Sequence, residues 1–318
     1  MRTDPAPPPG TSGNFAGTDI VPEPPELDQF LLEVYPKPRH IIGPIHSEHI
    51  VIAAGGPGTG KTNLAVKLAH AITSGRSFLG WHTPQQSSVL YVDGEMSGRQ
   101  LQDRFKLYEW PNDRSPLKVV NAISWGASKG MSQPNLSEPE WQDHLCQWAN
   151  DGDVVLLDNV MSLVNVPGIS FASDEFWRTV TPLNLRLRAK GCTVIWFDHT
   201  NADGMPFGTR TKQWLADLVF TLNTNEKTAN FEETPGVAFT LMFKKVRGAK
   251  GPEHRDLDIE MTIDDQGKAI WCQTTRRQAE QDIAAELRAQ GMTQRQVAAE
   301  MDISLGKVNK LLKDWVGS

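Results

Sequence analysis

The stretch VIAAGGPGTGKTNLAVKLAH, residues 51–70, decides the fold of this 318-residue chain. It opens on small and β-branched apolar residues, passes through four glycines and a proline in GGPGTGKT (55–62), and ends on apolar residues at helical spacing. That order predicts a strand, HIVIAAG (49–55), then a tight loop, then a helix opening at Lys61. The loop residues Gly55, Gly56, Pro57, Gly58, Thr59, Gly60, Lys61 and Thr62 fit the spacing G-x-x-x-x-G-K-[ST] in full. Glycines at these positions let backbone N–H groups turn inward around phosphates, and the helix N-terminus adds positive potential. Lys61 has the reach for the β- and γ-phosphates, and the Thr62 hydroxyl can hold Mg²⁺. Asn63, next on the helix, joins the nucleotide-binding set. The expected ligands are therefore ATP and Mg²⁺.

Outward from this loop, three further continuously apolar runs recur: SVLYVDGE (88–95), VVLLDN (154–159) and TVIWFDH (193–199). Runs of that kind are strands covered on both faces. Amphipathic stretches such as KTNLAVKLAHAIT and FWRTVTPLNLRLRAKG separate them. Strand–helix alternation implies an α/β fold with a parallel sheet and helices on both sides. From 215 to about 275 successive strands replace the alternation (LADLVFTL, VAFTLMFKKVR, DLDIEMTI, AIWCQT), a β-rich extension of the same sheet. Three units follow: a tail at 1–26, an ATPase domain at 27–275 and a small helical unit at 276–318. The tail carries seven of the 21 prolines, a composition that predicts disorder.

Each strand end brings a candidate to the carboxyl edge. VVLLDN delivers Asp158, a second Mg²⁺ ligand, as a Walker B strand does. The next residue is Asn159, where many ATPases carry their catalytic Glu, so a base is needed elsewhere. Glu95, ending a strand expected to lie beside the loop strand, is the candidate that orients or deprotonates the attacking water. Asp93 ranks below it, and the competing reading has both acids capping a helix at 97–109, with Ser97 as its N-cap. His199 ends the fourth run, where an imidazole can touch the γ-phosphate or its water.

Composition narrows the rest. Net charge is −6, so a nucleic-acid contact requires a local basic patch. No run approaches the ~18 apolar residues of a membrane span, and the N-terminus lacks a secretory pattern. Cys146, Cys192 and Cys272 are too few and too far apart for a disulfide framework or zinc site, which fits a reducing cytoplasm.

Together the loop, the Glu ending the second strand, the Asp-Asn end of Walker B and the strand ending in His resemble the RecA-type ATPases. The likeness covers roughly residues 35–275, and VLYVDGEMSGRQLQDRF is similar to the second motif of the hexameric replicative helicases of plasmid RepA and DnaB type. That resemblance implies basic residues reaching the ATP of the next subunit from a late strand, as Lys-x-Arg. Here Lys245 and Arg247 match it, sharing one face of FTLMFKKVRGAKG, with Arg247 as the arginine finger. It also implies a homo-oligomer, a ring of about six copies, with the loops at 164–175 and 201–214 facing single-stranded DNA. Arg210 and Lys212 are the candidate strand contacts in the second loop.

The segment AAELRAQGMTQRQVAAEMDISLGKVNKLLKDW resembles a helix-turn-helix. Thr293 caps its first helix, and Val297, Ala298, Met301, Ile303, Val308 and Leu311 fall where crossed helices meet. Asp302 stands where the turn usually has glycine. Lys307, Lys310 and Lys313 on the second helix are candidate duplex contacts. Residues 277–318 hold six basic and six acidic side chains, so protein docking stays an alternative use of this unit. Two functions fit the whole: an oligomeric ATP-driven DNA helicase or translocase in plasmid, phage or mobile-element replication, or an ATP-switched DNA-binding regulator, initiator or helicase loader without unwinding.

Overall fold

A computed structural model describes residues 23–130, 133–201, 204–208, 211–225, 236–313 and 315. The chain divides into two units, residues 1–37 and 38–318. As far as residue 22, the tail expected at 1–26 lies outside the described residues. The first unit holds a short helix, α1 (Leu27–Leu32), closed by a capping box between Glu26 and Gln29. Its Leu27, Phe30, Leu31 and Leu32 are exposed.

The second unit opens on a hairpin, β1 (His40–Ile42) and β2 (Ile45–His46), before the loop strand β3 (Ile50–Gly55) and helix α2 (Lys61–Ser74). There follow β4 (Val89–Asp93), α3 (Gly98–Lys106), β5 (Leu117–Asn121), α4 (Ala122–Lys129), α5 (Pro139–Trp148), β6 (Val154–Asp158) and α6 (Val160–Leu163). Then come α7 (Asp174–Ala189), β7 (Thr193–Asp198), α8 (Thr211–Leu215), β8 (Leu218–Thr224), β9 (Gly236–Val246), β10 (Leu257–Ile263) and β11 (Ala269–Thr275). Helices α9 (Arg276–Ala289), α10 (Gln294–Glu300) and α11 (Leu305–Lys313) end the chain.

Nine strands form one sheet in the order β11-β10-β9-β8-β3-β7-β6-β4-β5. The six strands from β8 to β5 run parallel, while β9, β10 and β11 alternate antiparallel. This is the parallel core with a β-rich extension that the sequence implies. One expectation is corrected: β4 does not lie beside β3, because β7 and β6 stand between them. Strands buried on both faces carry no label of their neighbour, and their order follows from where each crossover helix packs.

Alternate residues of each strand enter different apolar layers. Val154 and Leu156 of β6 face a layer with α2, including Leu64 and Leu68, whereas Val155 and Leu157 face one with α5 and α7, including Leu145 and Leu183. The sheet is thus sealed on both sides, and its carboxyl edge between α2 and α6 is where polar side chains collect. The edge strand β5, LKVVN, has Lys118 and Val119 exposed.

Helix α9 runs on from β11, with Thr275 as its N-cap, and packs against β10 and β11. Thr293 closes a capping box on α10 with Gln296. Asp302 takes φ +50°, the left-handed conformation that a glycine would adopt more easily, and starts the turn into α11. Val297, Ala298, Val308 and Leu311 are buried, with Met301 and Ile303 packed beside them, so the small helices carry an apolar cluster of their own.

Candidate active site

The phosphate-binding loop joins β3 to α2 with Gly58 at φ +74° and Gly60 at φ +93°, conformations that strain any other L-residue. A Cβ on Gly55 would sit 2.5 Å from Thr59 Oγ1, so that position needs glycine for space instead. Thr59 Oγ1 donates to Gly56 O at 2.9 Å. Lys61 Nζ donates to Gly55 O (2.8 Å) and Gly56 O (2.9 Å), folding the side chain back over the loop. Pro57 and Gly58 are exposed, Asn63 is buried, and its Oδ1 has no hydrogen-bond partner among the described residues.

Asp158 ends β6 and is 1% exposed. The Thr62 hydroxyl and Tyr91 Oη hold its carboxylate, the latter at 2.9 Å. Burial pushes its pKa up, and those two hydrogen bonds and Lys61 oppose the rise. The strand register sets Asp93 directly opposite Asp158. Burial and then the Asp158 charge raise Asp93 to about 7. Asp93 Oδ2 accepts from Asn121 Nδ2 (2.7 Å) and Met96 N (3.1 Å), whereas Oδ1 has no hydrogen-bond partner among the described residues. Asp93 thus shapes the turn at 94–96, and Ser97 caps α3 by accepting from Gln100 N.

Glu95 lies two residues beyond β4 and is not the cap of α3. Its Oε2 accepts from Asn159 Nδ2. The same nitrogen stands 3.4 Å from His199 Nε2. Glu95, Asp158 and Asp198 all act on Lys61, countering the burial that lowers its pKa. Burial, then Lys61, lowers the pKa of His199 and favours its neutral ring. So the loop lysine, Asp158, Glu95 and His199 meet in one place despite coming from separate strands. Asn159 was legible in the sequence only as a missing carboxylate; Tyr91 and Asn121 gave no signal there.

Other sequence candidates lie elsewhere. Lys212 is buried, pairing with Asp198 and donating to Phe207 O. Its expected role as a free cation for a strand backbone is revised, because that charge is neutralised within the chain. Arg210 lies outside the described residues. Lys245 donates to Gln213 O, and Arg247 Nη2 donates to Trp214 O at 2.8 Å while its Nε lies 3.3 Å from Asp217 Oδ1. Lys307 pairs with Glu280 at 2.8 Å, and Lys310 and Lys313 are exposed.

This edge suits a magnesium nucleotide. Among the described residues no three His, Cys, Asp or Glu side chains converge into a metal cage. Mg²⁺ needs none, since it takes one or two protein oxygens and completes its shell with water and phosphate. Thr62 and Asp158, already hydrogen-bonded together, supply that pair of hard oxygens. No helix among the described residues is long and apolar enough to cross a membrane.

No curated protein matches the chain. A family model described as an AAA domain matches residues 20–205, which is more than half of the 318 residues and takes in the loop, Glu95, Asp158 and His199. With its mostly parallel sheet and its phosphate-binding loop, this chain belongs to the AAA domain family of P-loop ATPases.

Proposed function

We propose that the protein is an oligomeric ATP-driven DNA helicase or translocase of a plasmid, phage or other mobile element. The observation that carries this reading is the position of Lys245 and Arg247. Strand β9 runs against β8, so Lys245 stands opposite Val219, and β8 in turn sets Val219 opposite Ile52 of β3. Both cations therefore lie toward the start of β3, away from the loop at its end, and Arg247 is 54% exposed. Among the described residues of one chain the site has Lys61 as the cation without a salt bridge, while Lys212 pairs with Asp198. A second copy can supply Arg247 and Lys245 to neutralise charge developing on the γ-phosphate.

In this reading Glu95 orients and deprotonates water, Lys61 and the loop N–H groups bind the β- and γ-phosphates, and Thr62 and Asp158 hold Mg²⁺. That ion, when bound, would supply positive charge to offset the charge of the phosphates. His199 links the site to the loop that follows it, since His199 O accepts from Phe207 N at 2.7 Å. That loop and the one at 164–175 would face single-stranded DNA in a ring.

The exposed Lys310 and Lys313 on α11 favour a second reading, an ATP-switched protein that assembles on duplex DNA as a regulator, initiator or helicase loader. Steady-state ATP hydrolysis without DNA, with single strands and with duplex, beside Lys61→Ala, separates the two. Strong stimulation by single strands supports the motor. Hydrolysis indifferent to single strands, or stimulated only by duplex, removes it.

A further inference from the structure

Asn159 occupies the position after the Walker B aspartate, is 2% exposed, and uses both ends of its amide. Its Oδ1 accepts from Ser162 N (3.2 Å) and Ser162 Oγ (3.0 Å), the N-cap of α6. That cap fixes the orientation of the amide, because an acceptor oxygen is required where Ser162 donates. Nδ2 is thereby turned the other way, toward Glu95 Oε2 and His199 Nε2. An amide nitrogen has two hydrogens, one for each. The ring nitrogen must then be the lone-pair one, so the proton of a neutral His199 sits on Nδ1.

His199 is also tied on its backbone. Its N–H donates to Asp198 Oδ1 at 2.8 Å, and its carbonyl accepts from Phe207, the far arm of the loop. The Glu95 side chain, by contrast, is exposed and has no other hydrogen bond among the described residues to fix it. One buried donor group thus holds an exposed carboxylate and an imidazole anchored in a loop.

We propose that Asn159 is a positioning residue: its amide holds Glu95 and His199 on a single nitrogen and transmits a displacement of Glu95 to His199 and, through the His199 carbonyl, to Phe207. This rests on Glu95 being the base of the ATPase. It explains why this chain has an amide where a carboxylate is common. An acid at 159 would face Glu95 with like charge, whereas the amide donates to it.

The test uses the full chain with Asn159→Asp and Asn159→Ala. The aspartate keeps the acceptor that caps α6 but replaces the donor facing Glu95 and His199 with an oxygen. Without nucleotide, long-range ¹H–¹⁵N NMR reads the His199 ring, identified by loss of its signals in His199→Gln. The expected result is a proton on Nδ1 in the wild type and on Nε2 in Asn159→Asp. With ATP, kcat falls about tenfold or more in both variants, while KM stays within about twofold of wild type. A wild-type ring protonated at Nε2, or a tautomer unchanged by Asn159→Asp, overturns the proposal. So does a wild-type kcat in Asn159→Asp beside an inactive Glu95→Gln. Should Glu95→Gln keep wild-type hydrolysis, the reading of Glu95 as the base falls, and the bridge stands or falls on the ring tautomer alone.

Discussion

Replacing Lys212 by methionine separates the two roles open to that residue. The lysine and its partner Asp198 have side chains 1% and 4% exposed, so neither charge has much water around it. Two opposite charges about 4 Å apart attract by about 4 kcal/mol at an effective dielectric of 20. Removing one partner of a buried pair costs about 3–5 kcal/mol, because the other charge is left buried and unpaired. Asp198 retains the His199 N–H at 2.8 Å, which keeps the estimate toward the lower end. The expected loss for Lys212→Met is therefore about 3 kcal/mol. Adding Asp198→Asn removes the orphaned charge, and the double variant should recover about 2 kcal/mol of it. Urea unfolding of the nucleotide-free protein, followed by circular dichroism, measures both. A single variant within about 0.5 kcal/mol of wild type that binds single strands more weakly would refute the buried strut and restore Lys212 as a DNA contact.

Arg247→Ala should leave stability within about 1 kcal/mol, as for a half-exposed ion pair, yet abolish hydrolysis. Mixing it with Lys61→Ala subunits should restore part of the rate, since each then supplies what the other lacks; no rescue in a subunit-mixing assay contradicts a site shared between copies. Asp93, raised from 3.8 to about 7, lends stability that is complete below pH about 4 and lost as pH rises through about 7. Relative to Asp93→Asn, the nucleotide-free wild type should lose up to about 4 kcal/mol across that interval, and parallel melting curves at each pH would show the idea to be wrong. Gly94→Ala puts a Cβ 2.8 Å from Leu163 Cδ2 and 3.1 Å from Ser162 Cβ. Chemical denaturation should show a cost of about 1–3 kcal/mol, and kcat should fall as Glu95 is pushed off Asn159.

Much of this architecture was readable because a few residues are constrained by backbone chemistry. GGPGTGKT can serve few other purposes between a strand and a helix, and the four apolar runs could be little but buried strands. What was not readable depended on partners distant in the chain. LKVVN at 117–121 is an edge strand with Lys118 and Val119 in water, so it lacks the continuous apolar run that marks its neighbours. The order of β3, β7, β6 and β4 is decided by helix packing, which left the adjacency of β4 and β3 wrongly expected. Lys212 looked like one more cation in a polar loop, and only the fold brings Asp198 to it. In the sequence Asn159 stands out only for the carboxylate it lacks, because the two side chains it bridges lie 64 and 40 residues away.

Whether Glu95 is the base of this P-loop ATPase is decided by Glu95→Gln. The rate of Mg·ATP hydrolysis and the affinity for ATP are measured together, with wild type and Lys61→Ala as references. Glu95→Gln is expected to bind ATP as wild type does and to hydrolyse it at least about 100-fold more slowly. Hydrolysis at the wild-type rate by Glu95→Gln would contradict it.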